Sequence, residues 1–271
     1  MSASETTGRP SAKRWDHGQQ TIGIGCSQAD SHRFPRALLL DLDGTLLDHA
    51  RASAQAIQQV LADHGLSPVE DAVPLWQSLE AAHFQRYLDG ELTFEEQRIA
   101  RATAFLTAHG AVAPSRSTAL SWFDDYLTHY EASWSPFEDV QPFLASLTEL
   151  AAPPLTAVLT NGDHAQQRAK LDAMGLGSMP LHASSTLGVR KPDPRTFLRV
   201  CADLGVTPER AWYVGDNFEV DALGAESAGL HGIWLNRSAT TSRRGHPSHA
   251  ADLTTVAAWL SEISPGRCRQ L

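Results

Sequence analysis

Short apolar runs and amphipathic stretches alternate along much of the chain. Short, largely apolar runs lie at 36–41, 155–160, 211–214 and 231–235, with a weaker candidate at 180–184. Runs of this length match strands buried on both faces of a parallel sheet. Between them, residues 139–151, 166–176, 193–204 and 220–229 carry apolar positions at helical spacing, and 252–263 reads as a last helix. Strands alternating with helices predict right-handed βαβ units, hence an α/β fold with a doubly wound parallel sheet.

The interval between the first two strands breaks that rhythm. From about residue 68 to 137 the patterns are helical only (73–88, 93–109 and 115–130), which is too long for one crossover and long enough for a small inserted domain. The expected organisation is a core of residues 36–52 and 138–271, a helical cap of 53–137, and a poorly ordered tail of 1–35 rich in small and polar residues. Residues 237–249 read as an exposed loop. In the tail, Gly23-Ile-Gly25 has Gln28 where a dinucleotide fingerprint needs a third glycine, and no strand precedes it.

Charge narrows the possible partners. The 271 residues carry 22 Lys and Arg against 31 Asp and Glu, a net charge of −9, which speaks against sequence-independent nucleic-acid binding. From His49 to Glu138 there are 5 basic and 12 acidic residues, so −7 of that charge falls in the insertion. No apolar run approaches the ~20 residues that span a bilayer. Cys26, Cys201 and Cys268 are too few and too far apart for a disulfide framework or a zinc site. With no secretory signal at the start, a cytoplasmic setting is expected.

The candidate chemistry sits at the strand ends, where ligands of open α/β sheets bind. The first strand runs into Asp41-Leu-Asp43-Gly44-Thr45 and the second into Thr160-Asn161-Gly162. Arg190-Lys191-Pro-Asp-Pro194 follows in a loop, and 211–214 leads into Gly215-Asp216-Asn-Phe-Glu-Val-Asp221. Two carboxylates ~4 Å apart repel by roughly 4 kcal/mol at an effective dielectric near 20, so several together call for protonation or a divalent cation. Oxygen donors of this kind, with a phosphate and water, suit Mg²⁺. A calcium loop beginning at Asp41 fails, because Leu46 replaces the required glycine and Ala52 the terminal Glu. The 12 histidines form no His-Glu-x-x-His pattern, and His246 and His249 lack a third ligand. Trp76, Trp122 and Trp134 read as cap core or lid surface. Arg86, Arg98 and Arg101 are possible substrate contacts, but read more simply as solvated helix-face arginines paired with nearby Glu.

In order and spacing these motifs resemble those of the haloacid dehalogenase (HAD) superfamily, in the branch with a helical C1-type cap after the first motif. The segments are DLDGT at 41–45, LTNG at 159–162, VRKPDP at 189–194 and VGDNFEVD at 214–221, and the likeness covers about residues 36–263. It implies a Rossmann-like core and a phosphomonoester hydrolase using Mg²⁺ and an aspartyl-phosphate. Asp41 would be the nucleophile and Asp43 the general acid and base. Thr160 and the Asn161 backbone N–H would bind the phosphoryl group, and Lys191 would neutralise it. Asp41, Asp216 and the main-chain carbonyl of Asp43 would hold the metal, with Asp221 behind them. The implied partner is a small phosphate ester such as a sugar phosphate, phosphoglycolate, a nucleoside monophosphate or a sialic-acid-type phosphate, with no nucleic acid and no membrane. The motif style is similar to the nucleotidase and acylneuraminate-phosphatase branch. The chain would be a monomer or homodimer. A phosphomutase, a 2-haloacid dehalogenase and a catalytically silent binding protein remain alternatives on the same fold; the second aspartate, Asp43, favours phosphate chemistry over dehalogenation.

Overall fold

A computed structural model describes residues 34–66, 71–238 and 248–265. In β1 (Ala37–Leu40), Leu38 and Leu40 enter one apolar core while Ala37 and Leu39 enter another. That alternation is what a strand covered by helices on both faces requires. β2 (Leu155–Thr160), β3 (Leu181–Ala183), β4 (Ala211–Gly215), β5 (His231–Leu235) and β6 (Ser248–Ala250) complete a parallel sheet in the order β3-β2-β1-β4-β5-β6. The chain builds one side of β1 through β2 and β3, then crosses to β4 on the other. The crevice between β1 and β4 is therefore the topological switch point.

Between β1 and β2 the chain forms α1 (His49–Asp63), α2 (Ala72–Leu88), α3 (Phe94–Ala108) and α4 (Arg116–Ala132), which share a core of their own around Ile57, Val60, Trp76, Phe105, Trp122 and Tyr126. The starts follow local chemistry. Thr93 and Glu96 form a reciprocal capping box on α3, and Ser115 caps α4. Trp76 and Trp122 are buried in this core, and Trp134 packs half-buried against both it and the sheet core. One face of the sheet is covered by α5 (Val140–Thr148), α6 (His164–Ala173) and, at the end of the chain, Leu253–Glu262. The other is covered by a helix over Pro194–Asp203, whose Phe197, Val200 and Cys201 meet Ala37 and Leu39.

Several sequence expectations need correcting. Phe34, placed in the tail, is 4% exposed and belongs to the sheet core; residues 1–33, with Cys26 and the Gly23–Gly25 pair, lie outside the described residues, as does Cys268. The 237–249 segment is not simply an exposed loop. Arg237 is anchored by two hydrogen bonds to Asp139 and one to the Thr45 carbonyl, and Ser248–Ala250 adds an edge strand. Residues 239–247 lie outside the described part. Three residues are too few to carry a readable period, so only pairing with β5 makes them a strand. The expected helix at 220–229 begins as a π-helical turn over Phe218–Leu223, with regular α-helix only at Gly224–Ser227. Its wider winding goes with Asp221 turning inward to a buried lysine. Finally, α1 is a helix beyond those read from the sequence. Its first turn is capped by Asp48, and it runs across residues 52 and 53.

Candidate active site

The sheet brings the four motifs to one edge. Asp41 follows β1 directly, its N–H donating to the Val214 carbonyl of β4 at 2.9 Å. Lys191 is 3% exposed, and its Nζ donates to Asp41 Oδ1 at 2.7 Å, Asp221 Oδ1 at 2.7 Å and the Tyr213 hydroxyl at 2.6 Å. The two carboxylates hold this lysine above its ordinary pKa against the opposing effect of burial. Asn161 grips the same loop, its amide donating to the Lys191 carbonyl at 2.7 Å and accepting from the Lys191 N–H at 2.8 Å. Thr160 is buried at the end of β2, on the wall of a cavity that opens beside these groups.

Three carboxylates gather against that single lysine. Oxygens of Asp41, Asp216 and Asp221 all lie within 4.8 Å of one another. Burial raises the Asp41 carboxyl well above its ordinary value; Lys191 opposes the rise, while Asp221 and Asp216 add to it. Asp216 stands exposed at the rim, yet loss of hydration and the neighbouring Asp221 push its carboxyl to about 6. The oxygens of Asp221 are engaged by Lys191 and by the Asn217 N–H at 3.0 Å. Gly44 matters here for a geometric reason. Its φ is +80°, and a Cβ in its place would collide with the Asp216 carboxylate.

The Asp43 side chain keeps different company. Lys170 Nζ donates to its two oxygens at 2.7 and 2.8 Å, and Gln167 Nε2 donates at 3.2 Å. Burial works against ionisation of Asp43, but Lys170 and His49 outweigh it and the carboxyl lies below its ordinary value. Lys170 and Gln167 were not foreseen. They sit three residues apart on α6, whose N-terminus Asp163 caps by accepting from Gln166 N–H, so both side chains reach the same place. The available signal was a lysine between Ala169 and Leu171, at the edge of the helix's apolar stripe.

A cavity of about 390 Å³ opens above these groups, roofed by residues of α1–α4. The roof contains a buried polar chain. Arg101 donates to Glu80 Oε1 at 2.7 Å and to the Tyr126 hydroxyl at 3.2 Å, and its guanidinium lies 3.8 Å over the Trp76 ring. His49 pairs with Glu80 at 3.1 Å and with the Tyr130 hydroxyl at 2.6 Å. Although burial opposes it, Arg101 and His49 keep Glu80 far below the ordinary carboxylate range. The solvated-arginine expectation thus fails for Arg101, which is 4% exposed, and holds for Arg86, bonded to Glu91 in solvent.

The sequence profile of the haloacid dehalogenase-like hydrolases matches residues 35–229. The chain belongs to this family. Among its relatives, the phosphoglycolate phosphatase of Rhodospirillum rubrum is 30% identical over 86% of this chain and 94% of that protein. Human N-acylneuraminate-9-phosphatase is 29% identical over 78% of this chain and 87% of its own. A phosphoserine phosphatase of Thermus thermophilus is 44% identical over 84 residues, which are 30% of this chain and 33% of that one. Among solved structures, the Bacillus subtilis HAD-hydrolase YfnB, bound to magnesium, superposes with a TM-score of 0.72 at 21% identity, covering 83% of this chain and 98% of YfnB. The HAD fold of the sheet is therefore shared at a level where side chains have diverged widely. No helix among the described residues is long and apolar enough to cross a membrane.

Proposed function

We propose that this HAD-like hydrolase is a Mg²⁺-dependent phosphomonoesterase acting on a small phosphorylated metabolite through an aspartyl-phosphate on Asp41. One observation carries the proposal: Asp41, Asp216 and Asp221 gather at the floor of a cavity that Asp43 also lines, and Lys191 bonds two of them, Asp41 and Asp221. The relatives named above, phosphatases of three different substrates, support the same reaction class.

The donor set fits a hard divalent cation. It consists of oxygens alone, and two of the three clustered acids resist ionisation while uncompensated. Asp41, Asp216 and the Asp43 main-chain carbonyl would hold the ion, and Asp221 would keep Lys191 in place. When bound, such a cation neutralises charge on the phosphoryl oxygens and on the nucleophile. The remaining chemistry belongs to the chain's own residues. An Asp41 oxygen attacks phosphorus, the P–O bond to the leaving group breaks, and the departing oxygen takes a proton from Asp43. In the second half Asp43 removes a proton from water, the resulting hydroxide attacks phosphorus, and the bond to Asp41 breaks to release inorganic phosphate. Lys170 initially favours ionised Asp43, so Asp43 takes up its proton as the substrate's negative charge arrives beside it. Thr160 and the Asn161 N–H bind phosphoryl oxygens. Helices α1–α4 act as a cap that closes the cavity to water.

The cysteine pattern favours the cytoplasm as the place of action, and we read the assembly as a monomer or homodimer. The test is phosphate release from p-nitrophenyl phosphate and a panel of metabolites, with Mg²⁺ and after EDTA. Release that stops on chelation and returns with Mg²⁺ is expected; release indifferent to EDTA overturns the metal assignment, and no release from any ester overturns the reaction.

A further inference from the structure

The three cap arginines have three different fates. Arg86 is neutralised in solvent by Glu91, and Arg101 is buried and bonded to Glu80. Arg98 is neither. It lies one turn before Arg101 on the cavity face of α3, half-buried, and among the described residues it makes no hydrogen bond or ion pair. Its guanidinium instead lies 4.3 Å over the Phe94 ring and 5.4 Å from the centre of Phe123. Asp124 and Glu131 of α4 and Asp163 at the start of α6 act on it only through space. An aromatic face holds a guanidinium by cation–π attraction while leaving its N–H groups free. Such a fork is preformed for two parallel bonds to a planar anion, and less of its freedom is lost on binding than a lysine would lose.

We propose that Arg98 reads the leaving group, and that the preferred substrates are phosphomonoesters whose leaving group carries a carboxylate. The inference rests on the phosphomonoesterase reading above and adds a substrate class to it. Charge counting selects a carboxylate over a second phosphate. In the roof, Glu80 is already matched by Arg101 and His49, so Arg98 contributes a single unmatched positive charge. A second phosphoryl dianion would exceed that charge and face Glu80. Phe84, Phe94 and Leu127 supply apolar wall for the carbon skeleton between the two anions, and about 390 Å³ suits a small one.

The test compares kcat/KM for 3-phosphoglycerate and glycerol 3-phosphate, which differ in a carboxylate against a hydroxymethyl group. Propane-1,3-diyl bisphosphate and p-nitrophenyl phosphate complete the set, all with Mg²⁺. Wild type should favour the carboxylate ester by roughly tenfold to a hundredfold, as expected for charge-assisted hydrogen bonds. Arg98→Gln should bring that ratio close to one, chiefly through KM, and Arg98→Lys should retain part of it. Arg86→Gln, outside the cavity, should leave it unchanged. The inference is overturned if wild type cleaves p-nitrophenyl phosphate without preferring the carboxylate ester, if it prefers the bisphosphate, or if folded Arg98→Gln keeps the preference. Should Arg98→Gln fail to fold, the wild-type and Arg98→Lys ratios still decide. Failure to cleave any of the four esters would remove the phosphatase reading itself.

Discussion

The floor and the roof of the cavity handle charge in opposite ways. On the floor, Asp41, Asp216 and Asp221 crowd together with one lysine bonded to two of them, and two of the three carboxyls are driven upward. In the roof, Glu80 has Arg101 and His49 as partners, and its carboxyl is driven down. Burial penalises both sets of acids, so the difference lies in the neighbours. The roof is neutralised from within. The floor is left short of positive charge, which is the state a cation-binding site must be in before its ion arrives.

That contrast can be tested in four ways, from the largest effect to the smallest. Asp41→Asn should lower phosphate release by at least about a thousandfold, since it would remove the proposed nucleophile, while the melting temperature stays within a few degrees. Substantial residual turnover would move the nucleophile elsewhere. Glu80→Gln should destabilise the fold by about 3 kcal/mol in urea titrations, because Arg101 is left buried without its carboxylate. A loss below about 1 kcal/mol would mean that the roof network adds little. Lys170→Met should lower kcat by roughly tenfold and move the pH profile upward, because Asp43 then keeps its proton to higher pH.

The fourth test uses pH, where floor and roof should have opposite signs. Glu80 titrates in the fold below its ordinary 4.5, so its stabilisation is present above that pH and fades as the solution is acidified further. Asp216 titrates at about 6 against an ordinary 3.8, so its folded form binds the proton more tightly. Without metal, its contribution is full below about 4 and is lost as pH rises through 6. The difference in melting temperature between wild type and Asp216→Asn in EDTA should therefore change against wild type over that range, by a modest amount because the side chain is exposed. Adding Mg²⁺ should abolish the trend. A flat difference in EDTA would remove Asp216 from the strained set.

The sequence by itself determined the alternation of strands and helices, the helical insertion, and the four motifs, three at strand ends and one in a loop. These depend on apolar period and on short runs of adjacent residues, which a linear reading can follow. Residues 155–160 and 231–235 coincide with β2 and β5, and α2–α4 begin and end within two residues of their predicted limits. Only the tertiary structure decided the rest. β6 is a strand solely because β5 lies beside it, and the π-helical turn follows the inward pull on Asp221. Lys170 meets Asp43 across 127 positions of chain, and Arg101 meets Glu80 across 21. Charge pairing over such separations leaves no local period. The same residue type, arginine, is solvated at 86, buried at 101 and left with open N–H groups at 98 according to what the fold places opposite each one.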